Sequence, residues 1–324
     1  MTRPTVPPNL PALVKAAFNK ARANGDVTYY QTQVAIVTPS SIAFQLRFSP
    51  SLALKPKAPP KPKEPNGKPF NPFEDPSPAM LVAEQQQQQQ PATHRLVLNK
   101  FAVVPEHFIL ATRAVKPQTH VLEQADVAAT SACVDAYRAH GGQELFAFFN
   151  CGPHSGASQP HRHLQLLPVA RMRDGLDGVA RGGEWGVLAE RVAEAPQVLP
   201  FAVFTADLRA GMSDAERYAA YLELYRRAVR AVHPDAYADA EVPGEGEAKI
   251  SYNFAMTSNS MALCPRRAEG AMLKSKSGED IGVVSLNGTV LAGTALVKNE
   301  AEWNALREDP DLLLSVLKGI GFPP

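Results

Sequence analysis

The residues best able to carry chemistry lie in one stretch, residues 150–168, which reads NCGPHSGASQPHRHLQLLP. Polar and apolar side chains alternate with a period of two at its centre, which predicts a β-strand. On that strand His161, His163 and Gln165 point to one face, so two imidazoles and an amide stand in a row. A neutral imidazole attacks phosphorus without first losing a proton, so this face is a candidate nucleophilic site.

A small polar loop comes directly before the two histidines. Such a loop lets backbone N–H groups approach an anion closely. The loop and the imidazole together predict a phosphate site that faces a nucleophile. Two imidazoles also suit a metal ion, so a metal site formed by His154, His161 and His163 is the alternative. The loop residues are Gly156, Ala157, Ser158 and Gln159.

The elements around this stretch predict an α+β fold, mostly antiparallel sheet with inserted helices. Helical periodicity covers 9–24, 125–139, 214–232 and 300–318, and Ser213 is the N-cap of the third helix. Strand patterns cover 28–37, 41–48, 93–104, 106–112, 144–150, 199–208, 249–257, 261–265, 281–286 and 290–297. Asn287-Gly288 predicts a type I′ turn between the last two strands. Neither G-x-G-x-x-G nor a Walker A loop occurs, which argues against a dinucleotide-binding Rossmann domain.

Composition limits the partners. The chain has 324 residues, 45% of them hydrophobic, and a net charge of +1. Nucleic-acid or membrane binding would need a basic excess, so we expect neither. Cys133, Cys151 and Cys264 form no C-x-x-C pair, and the N-terminus has no apolar signal region. We therefore expect a cytoplasmic location, with the nucleus as an alternative.

Residues 56–91 differ sharply from the rest, because proline and lysine fill their first half and a glutamine run ends them. Proline excludes regular helix and inner strand. We interpret this segment as a largely mobile surface insertion, with a proline-rich partner-binding segment as the alternative. Arg266-Arg267, after the predicted hairpin, is interpreted as a solvated pair, with a phosphate contact as the alternative.

The central stretch resembles the active-site segment of the histidine-triad superfamily. More closely, it resembles the fungal diadenosine tetraphosphate phosphorylases, also called ATP adenylyltransferases. Their pattern N-S-G-x-x-S-G-x-S-Q-x-H-x-H-L-Q is matched over residues 150–165, with Cys151 where serine is usual. Further matches are N-K-F at 99–101, V-V-P-E-H-F at 103–108, S-Y-N at 251–253, V-S-L at 284–286 and G-T-A-L-V-K at 293–298. Asn71-Pro72-Phe73, inside the insertion, resembles a short family motif, so anchoring of these three residues is the alternative to mobility there.

The resemblance implies a histidine-triad-like core with N- and C-terminal extensions. It implies an N-terminal phosphorylase region over 1–190 and a C-terminal ATP adenylyltransferase region over 191–324 that completes the same fold. The implied reaction is phosphorolysis of diadenosine tetraphosphate (Ap4A) to ATP and ADP. In it His163 carries the adenylyl group and His161 orients the site. The implied substrate-binding residues are Lys55, Asn99, Lys100, Asn150, Gln165, Ser285, Leu286, Thr294 and Lys298, together with the loop 156–159. Lys57 is the alternative to Lys55.

Gln165 bears on which acceptor is used, because hydrolytic members of the superfamily have histidine there. An amide cannot exchange a proton near neutral pH, so it favours transfer to anionic phosphate over activation of water. We expect no tightly bound cofactor, although a divalent cation such as Mg²⁺ can arrive with substrate phosphates. The expected partners are dinucleoside polyphosphates, ATP, ADP and phosphate, and the sequence leaves the oligomeric state open. The alternatives are a hexose-1-phosphate uridylyltransferase-like enzyme and a non-catalytic dinucleotide-binding protein.

Overall fold

The computed structural model describes residues 4–53, 70–85, 92–192 and 199–324, and confirms the α+β fold. The helices are α1 (Leu10–Asn24), α2 (Pro50–Ala53), α3 (Gln124–Ala139), α4 (Val169–Met172), α5 (Leu188–Arg191), α6 (Asp214–Val232), α7 (Glu300–Glu308) and α8 (Leu312–Ile320). The strands are β1 (Thr28–Tyr29), β2 (Gln33–Val37), β3 (Phe44–Phe48), β4 (Leu81–Glu84), β5 (His94–Leu98), β6 (Phe101–Ala102), β7 (Phe108–Thr112), β8 (Leu145–Cys151), β9 (His163–Pro168), β10 (Phe204–Asp207), β11 (Ser251–Met256), β12 (Ser260–Arg266), β13 (Gly270–Lys274), β14 (Asp280–Ser285) and β15 (Thr294–Val297).

One antiparallel sheet organises the molecule. Its eight strands follow the order β10-β12-β11-β8-β9-β7-β5-β4, so strands from both halves of the chain share it. All seven residues of β8 are buried, as the continuous apolar run predicts for a central strand. The predicted hairpin of β11 and β12 is confirmed, and β8 pairs with β11 on one side and with β9 on the other. The motif strand therefore lies in the middle of the sheet.

The two faces of the sheet pack into different cores. Leu164 and Leu166 of β9 belong to the core that also contains side chains of α3 and α6. Leu167, with Phe146 and Phe148 of β8, belongs to the core that contains the smaller sheet β15-β3-β2. Because side chains alternate along β9, His163 and Gln165 face the side of the smaller sheet. The fold thus turns the motif toward a second layer of strands.

The helix signals were mostly confirmed. Ser213 caps α6, since its hydroxyl accepts a hydrogen bond from Glu216 N–H and the Glu216 carboxylate accepts one from Ser213 N–H. This reciprocal pair satisfies two N–H groups that the first helical turn leaves free. None of the helices in the described ranges combines the length and apolar character needed to cross a membrane.

The predicted strand 28–37 is interrupted, and so is the predicted strand 93–104. The first divides into β1 and β2, and the second into β5 and β6. The two short pieces, β1 and β6, pair with each other in a parallel ladder of two residues outside the main sheet. The breaks arise from this separate pairing, which no local pattern encodes.

The predicted hairpin around Asn287-Gly288 is wrong. The Asn287 side chain accepts a hydrogen bond from Thr289 N–H and begins a 3₁₀ helix, Gly288–Ala292. Strand β14 pairs with β13 instead, and β15 pairs in parallel with β3. An asparagine serves equally well in a turn or as a helix cap, and the partners available in the fold decided between them.

The predicted closing helix over 300–318 is two helices. α7 ends at Glu308 and α8 begins at Leu312, with Pro310 between them. Proline disfavours helical backbone in the residue before it, and Asp309 accordingly has φ −137° and ψ 88°.

Candidate active site

Strands β8 and β9 stop pairing just before the residues that the motif singles out. The ladder ends at Phe148 and Gln165, although its continuation would place Asn150 opposite His163. The side chain of Gln118 fills this gap. Its Oε1 accepts from His163 N–H at 2.8 Å, and its Nε2 donates to the carbonyls of Asn150 at 2.9 Å and of His163 at 3.1 Å. Sequence reasoning missed Gln118, because a single glutamine in a loop belongs to no pattern.

One hydrogen bond fixes the tautomer of His163. Its Nδ1 lies 2.8 Å from the backbone oxygen of His161, which only accepts, so Nδ1 carries the proton. The residue is 3% exposed, and burial lowers the pKa of the imidazole to about 4. Nε2 has no hydrogen-bond partner among the described residues, so its lone pair is available. The ring at neutral pH is therefore uncharged, and the lone pair of Nε2 is the one available for attack on an electrophile.

His161 is held at both ring nitrogens. Its Nε2 lies 2.8 Å from the backbone oxygen of Thr112, so it donates there, and Nδ1 accepts from Asn71 Nδ2 at 2.9 Å. It forms an isolated bridge with Pro117 and precedes β9, which begins at His163. The fixed ring keeps the His161 carbonyl in place to receive the Nδ1–H of His163. This geometry fits the predicted role of orienting the site.

Asn71 and Phe73 lie in the predicted insertion, within the N-P-F motif for which anchoring was the alternative. Phe73 is 4% exposed, and its ring centroid lies 4.9 Å from that of His163 at an interplanar angle of 37°. The same ring meets His161 edge-on at 5.8 Å. Asn71 Oδ1 accepts from Phe73 N–H at 3.0 Å, which ties the two residues together.

The expectation of a mobile insertion over 56–91 therefore needs correction for residues 70–85. Strand β4 in this segment pairs with β5, and Arg95 donates to the carbonyl of Glu74 at 2.7 Å. Burial of the Phe73 ring against the two histidines stabilises an ordered conformation of this part of the chain, although the neighbouring sequence is rich in proline. The remainder of the predicted insertion, 56–69 and 86–91, lies outside the described residues.

Arg162 lies between the two histidines in sequence, and its side chain points to the opposite face of the sheet, toward α3. Its Nη1 lies 2.8 Å from carboxylate oxygens of both Glu123 and Asp126, at the start of α3. Asp126 is buried and also contacts His94 at 2.9 Å. Buried charges must be paired and hydrogen-bonded, and this network does both. It anchors the start of the motif strand to the helix behind it.

Gln165 lies beside a third imidazole, that of His107, and both side chains line the cavity described below. Burial lowers the pKa of the His107 imidazole to about 3, although Gln165 favours its charged form. Asn99, a predicted substrate residue, has its Nδ2 3.1 Å from His107 Nδ1. His107 was not among the predicted site residues, although it stands within the matched segment 103–108. Asn99 thus hydrogen-bonds to His107, which lines the cavity, and does not line the cavity itself.

A buried arginine sets the direction of two asparagine side chains. Arg266 is 2% exposed and donates from Nη1 to Asn253 Oδ1, so Asn253 Nδ2 must donate onward, to Asn150 Oδ1 at 2.9 Å. Asn150 Oδ1 also accepts from Gly288 N–H at 2.9 Å, which directs its Nδ2 toward the carbonyl of Gly156. The interpretation of Arg266 as a solvated charge is wrong, since its other amino group donates to three backbone carbonyls. Asn150 is thereby held with its amide donor on the loop side.

The predicted phosphate loop borders the same place. Gly156 has φ +82°, and a Cβ there would lie 2.8 Å from Cβ of Asn287. Only glycine fits a left-handed backbone so close to a neighbour. Ala157 and Ser158 are exposed and Gln159 is half-buried. The loop therefore packs at Gly156 and is open to solvent at its next two residues.

A cavity of about 190 Å³ lies beside this loop, between the large sheet and the C-terminal strands. All four predicted C-terminal residues line it with Gln165 and Gly156, namely Ser285, Leu286, Thr294 and Lys298. Thr294 Oγ1 is buried and has no hydrogen-bond partner among the described residues. Val104, Phe148 and Leu167 supply an apolar wall. His163 is not among the residues that line this cavity; Gln165, two positions further along β9 on the same face, and His107 line it.

Arg47 is a further cation on the cavity wall that sequence reasoning missed. It is 2% exposed, and burial lowers the pKa of its guanidinium to about 10. Nη2 donates to the carbonyl of Met172 at 2.7 Å, and Nε donates to Gln45 Oε1 at 2.7 Å. An arginine inside a strand is usually solvent-facing, so only the packed structure revealed it.

Two predicted lysines do not join this cluster. Lys100 is exposed, with Nζ 5.9 Å from the ring centroid of Phe101, and does not line the cavity. Lys55 lies outside the described residues. His154, from the alternative metal site, is exposed, and the described residues contain no group of three or more histidine, cysteine or acidic side chains placed to hold a metal ion.

Comparison with known proteins gives matches over nearly the whole chain. The family model of the Ap4A phosphorylase N-terminal domain matches residues 2–177, and that of the ATP adenylyltransferase C-terminal domain matches residues 197–323. Diadenosine 5′,5‴-P1,P4-tetraphosphate phosphorylase 2 of Saccharomyces cerevisiae is 28% identical, over 97% of this chain and 95% of that protein. The crystal structure of yeast Ap4A phosphorylase Apa2 has a TM-score of 0.74 at 26% identity and covers 97% of this chain and 95% of its own. Its complex with AMP gives 0.71 at 25% identity, with 97% of both chains covered.

Proposed function

The chain belongs to the Ap4A phosphorylase family, and on that premise we propose that it is a nucleotidyltransferase that splits Ap4A with inorganic phosphate into ATP and ADP. The relatives named above carry this activity in their names, and one was crystallised with AMP. The single observation that carries the proposal for this chain is the state of His163, neutral, with its proton fixed on Nδ1 and Nε2 unengaged by the described residues.

The cycle consists of two displacements. The Nε2 lone pair attacks an α-phosphorus of Ap4A, the bond from that phosphorus to the bridging oxygen breaks, and ATP leaves. An oxygen of inorganic phosphate then attacks the adenylyl-histidine, the N–P bond breaks, and ADP leaves. Both steps are reversible, so ATP and ADP can also form Ap4A. No proton has to be removed from the nucleophile, which suits a ring whose pKa is about 4.

Phosphate is favoured over water as the second acceptor. Water needs a general base whose pKa lies near the working pH, and phosphate is already an anion. Gln165 cannot take a proton, and the pKa of about 3 makes the His107 ring beside it a weak base. The site therefore offers water little help at neutral pH.

The cavity suits a nucleotide, with an apolar wall for a base and polar groups for ribose and phosphate. We propose that Ser285, Thr294 and Lys298 bind there, with Leu286 on the apolar side. Asn150 and the loop 156–159 would hold the phosphates next to His163, and Arg47 adds positive charge to the same wall. Asn99, Lys100 and Lys55 remain proposed contacts for the rest of the substrate. A divalent cation bound to substrate phosphates would neutralise part of their charge.

Trapping the covalent intermediate tests the proposal. The protein is mixed with Ap4A labelled in the adenosine, without phosphate, and label on the denatured chain is counted. We expect label on the native protein and on a His154→Ala control, whose imidazole is exposed on the adjacent loop. We expect none on His163→Ala, and a His163→Ala protein that still acquires label would refute the proposal.

Product analysis separates the remaining alternatives. Addition of phosphate should release the label as ADP, whereas a hydrolase would release AMP without phosphate. A uridylyltransferase-like enzyme would instead exchange label between UDP-hexose and hexose 1-phosphate. A non-catalytic dinucleotide-binding protein would bind Ap4A and release no product.

A further inference from the structure

The aromatic ring that covers His163 has no part in the reaction as described so far. We propose that Phe73 stabilises the adenylylated form of His163 by turning its π-face toward the positive charge that the imidazole gains. This inference rests on the proposed function, because the charge appears only when Nε2 bonds to phosphorus.

The charge follows from the position of the proton. Before attack the ring is neutral, with hydrogen on Nδ1 and a lone pair on Nε2. When that lone pair forms the N–P bond and the leaving nucleotide departs with the bridging oxygen, the proton remains on Nδ1. The ring is then an N-phosphoryl imidazolium with one positive charge. When phosphate attacks, the electron pair of the N–P bond returns to Nε2 and the ring is neutral again.

The charge develops in a buried place, where an uncompensated cation is costly. The carbonyl of His161 faces the ring edge, 2.8 Å from Nδ1. Phe73 faces the ring plane, with centroids 4.9 Å apart and a tilt of 37°. A cation within about 6 Å of an aromatic centroid is attracted by the negative face of the ring. The carbonyl of His161 and the ring face of Phe73 therefore stabilise the positive charge from two directions.

Phe73 is fixed in this position before substrate binds. Asn71 Oδ1 accepts from its backbone N–H at 3.0 Å, and its side chain packs with Val97, Ile109 and Ala111. The neutral imidazole gains only ordinary ring packing, whereas the imidazolium gains the electrostatic attraction as well. An interaction that strengthens as the reaction proceeds lowers the barrier instead of merely tightening binding.

Fluorination of Phe73 tests the idea directly, since fluorine withdraws electron density from the ring face with little change of shape. Mono-, di- and trifluorophenylalanine are introduced at position 73, and adenylylation by labelled Ap4A is followed in a single turnover without phosphate. We expect the rate and the labelled fraction at equilibrium to fall stepwise with fluorine count. For Phe73→Leu, which keeps the apolar cover but not the π-face, we expect a fall of roughly tenfold to thirtyfold. The same series at Phe18, which is 2% exposed and packs in a different cluster, is the matched control and should give no trend.

The outcomes separate the two levels of inference. Absence of label on the native protein would overturn the proposed function itself. Normal labelling of the native protein with equal rates across the fluorinated series would overturn the role of Phe73 and leave the function intact. The role would likewise be overturned if Phe73→Leu were slow while the fluorinated series stayed flat, because apolar cover alone would then explain the contact. Urea unfolding of each variant shows whether a slow protein is still folded.

Discussion

Replacement of Gln118 by alanine should weaken both the fold and the reaction. The Gln118 side chain substitutes for the missing rungs between β8 and β9, with one accepted and two donated hydrogen bonds at 2.8, 2.9 and 3.1 Å. In the Gln118→Ala protein, the N–H of His163 and the carbonyls of His163 and Asn150 lose this partner. The residue is 3% exposed, so bulk water does not replace it freely.

The magnitude follows from these three bonds. Each buried hydrogen bond contributes roughly 1 kcal/mol net, and each polar group left unpaired costs about 1–3 kcal/mol. A water molecule that enters the space would recover part of the loss. We therefore expect the free energy of unfolding to fall by roughly 3 kcal/mol. A backbone shift near 1 Å at His163, the proposed nucleophile, would slow adenylylation by about a hundredfold.

Two measurements on each protein are needed, urea unfolding and the single-turnover rate of adenylylation. Gln85→Ala is the matched control. Gln85 is also a fully buried amide, and it donates to the carbonyl of Ala129 at 2.9 Å, away from the motif. We expect this control to lose stability and to keep the native adenylylation rate.

The reasoning would fail if Gln118→Ala unfolded within about 0.5 kcal/mol of the native protein, which is the range of a neutral surface change. It would also fail if both glutamine variants slowed adenylylation equally. In that case loss of stability alone, and not the position of Gln118 between the strands, would account for the slower reaction.

Three further predictions concern pH, packing and the asparagine relay. Burial lowers the pKa of His163 to about 4 and of His107 to about 3, so the unfolded chain binds protons below pH 6.5 that the folded chain does not. The contribution of these two histidines to the free energy of unfolding should thus be complete above pH 6.5 and should fall steadily toward pH 4. Urea unfolding of a His107→Asn protein should show a shallower fall with decreasing pH than the native protein. Equal slopes in the two proteins would contradict the lowered pKa of His107. Gly288→Ala should lose about 1–3 kcal/mol of stability by urea unfolding, since its Cβ would lie 2.9 Å from Asn150 Oδ1, and an unchanged midpoint would exclude this close packing. Arg266→Met removes the donor that orients Asn253 and, through it, the amide of Asn150, so kcat should fall about tenfold with little change in KM. Arg266→Lys keeps a donor and should restore part of kcat. A change confined to KM would argue that Arg266 does not orient the Asn150 amide.

Sequence patterns correctly predicted those parts of the fold that depend on interactions between residues close together in the chain. The capping pair of Ser213 and Glu216 lies within one helical turn, and α6 begins where it was expected. Asn287-Gly288 failed as a turn signal because the Gly288 N–H bonds to Asn150, 138 positions away in the chain. Whether an Asn-Gly pair becomes a turn or a cap depends on that distant acceptor.

The sequence by itself determined which chemical groups stand together on the motif strand, because a period of two residues places His163 and Gln165 on one face whatever packs around them. The sequence did not determine the burial, the tautomer or the pKa of these side chains. The partners that do so are remote in the chain: Gln118 is 45 residues from His163, and Asn71 is 90 residues from His161. Burial, tautomer and pKa depend on what the folded chain brings within hydrogen-bond distance, so only the tertiary structure left the His163 imidazole neutral with its proton on Nδ1.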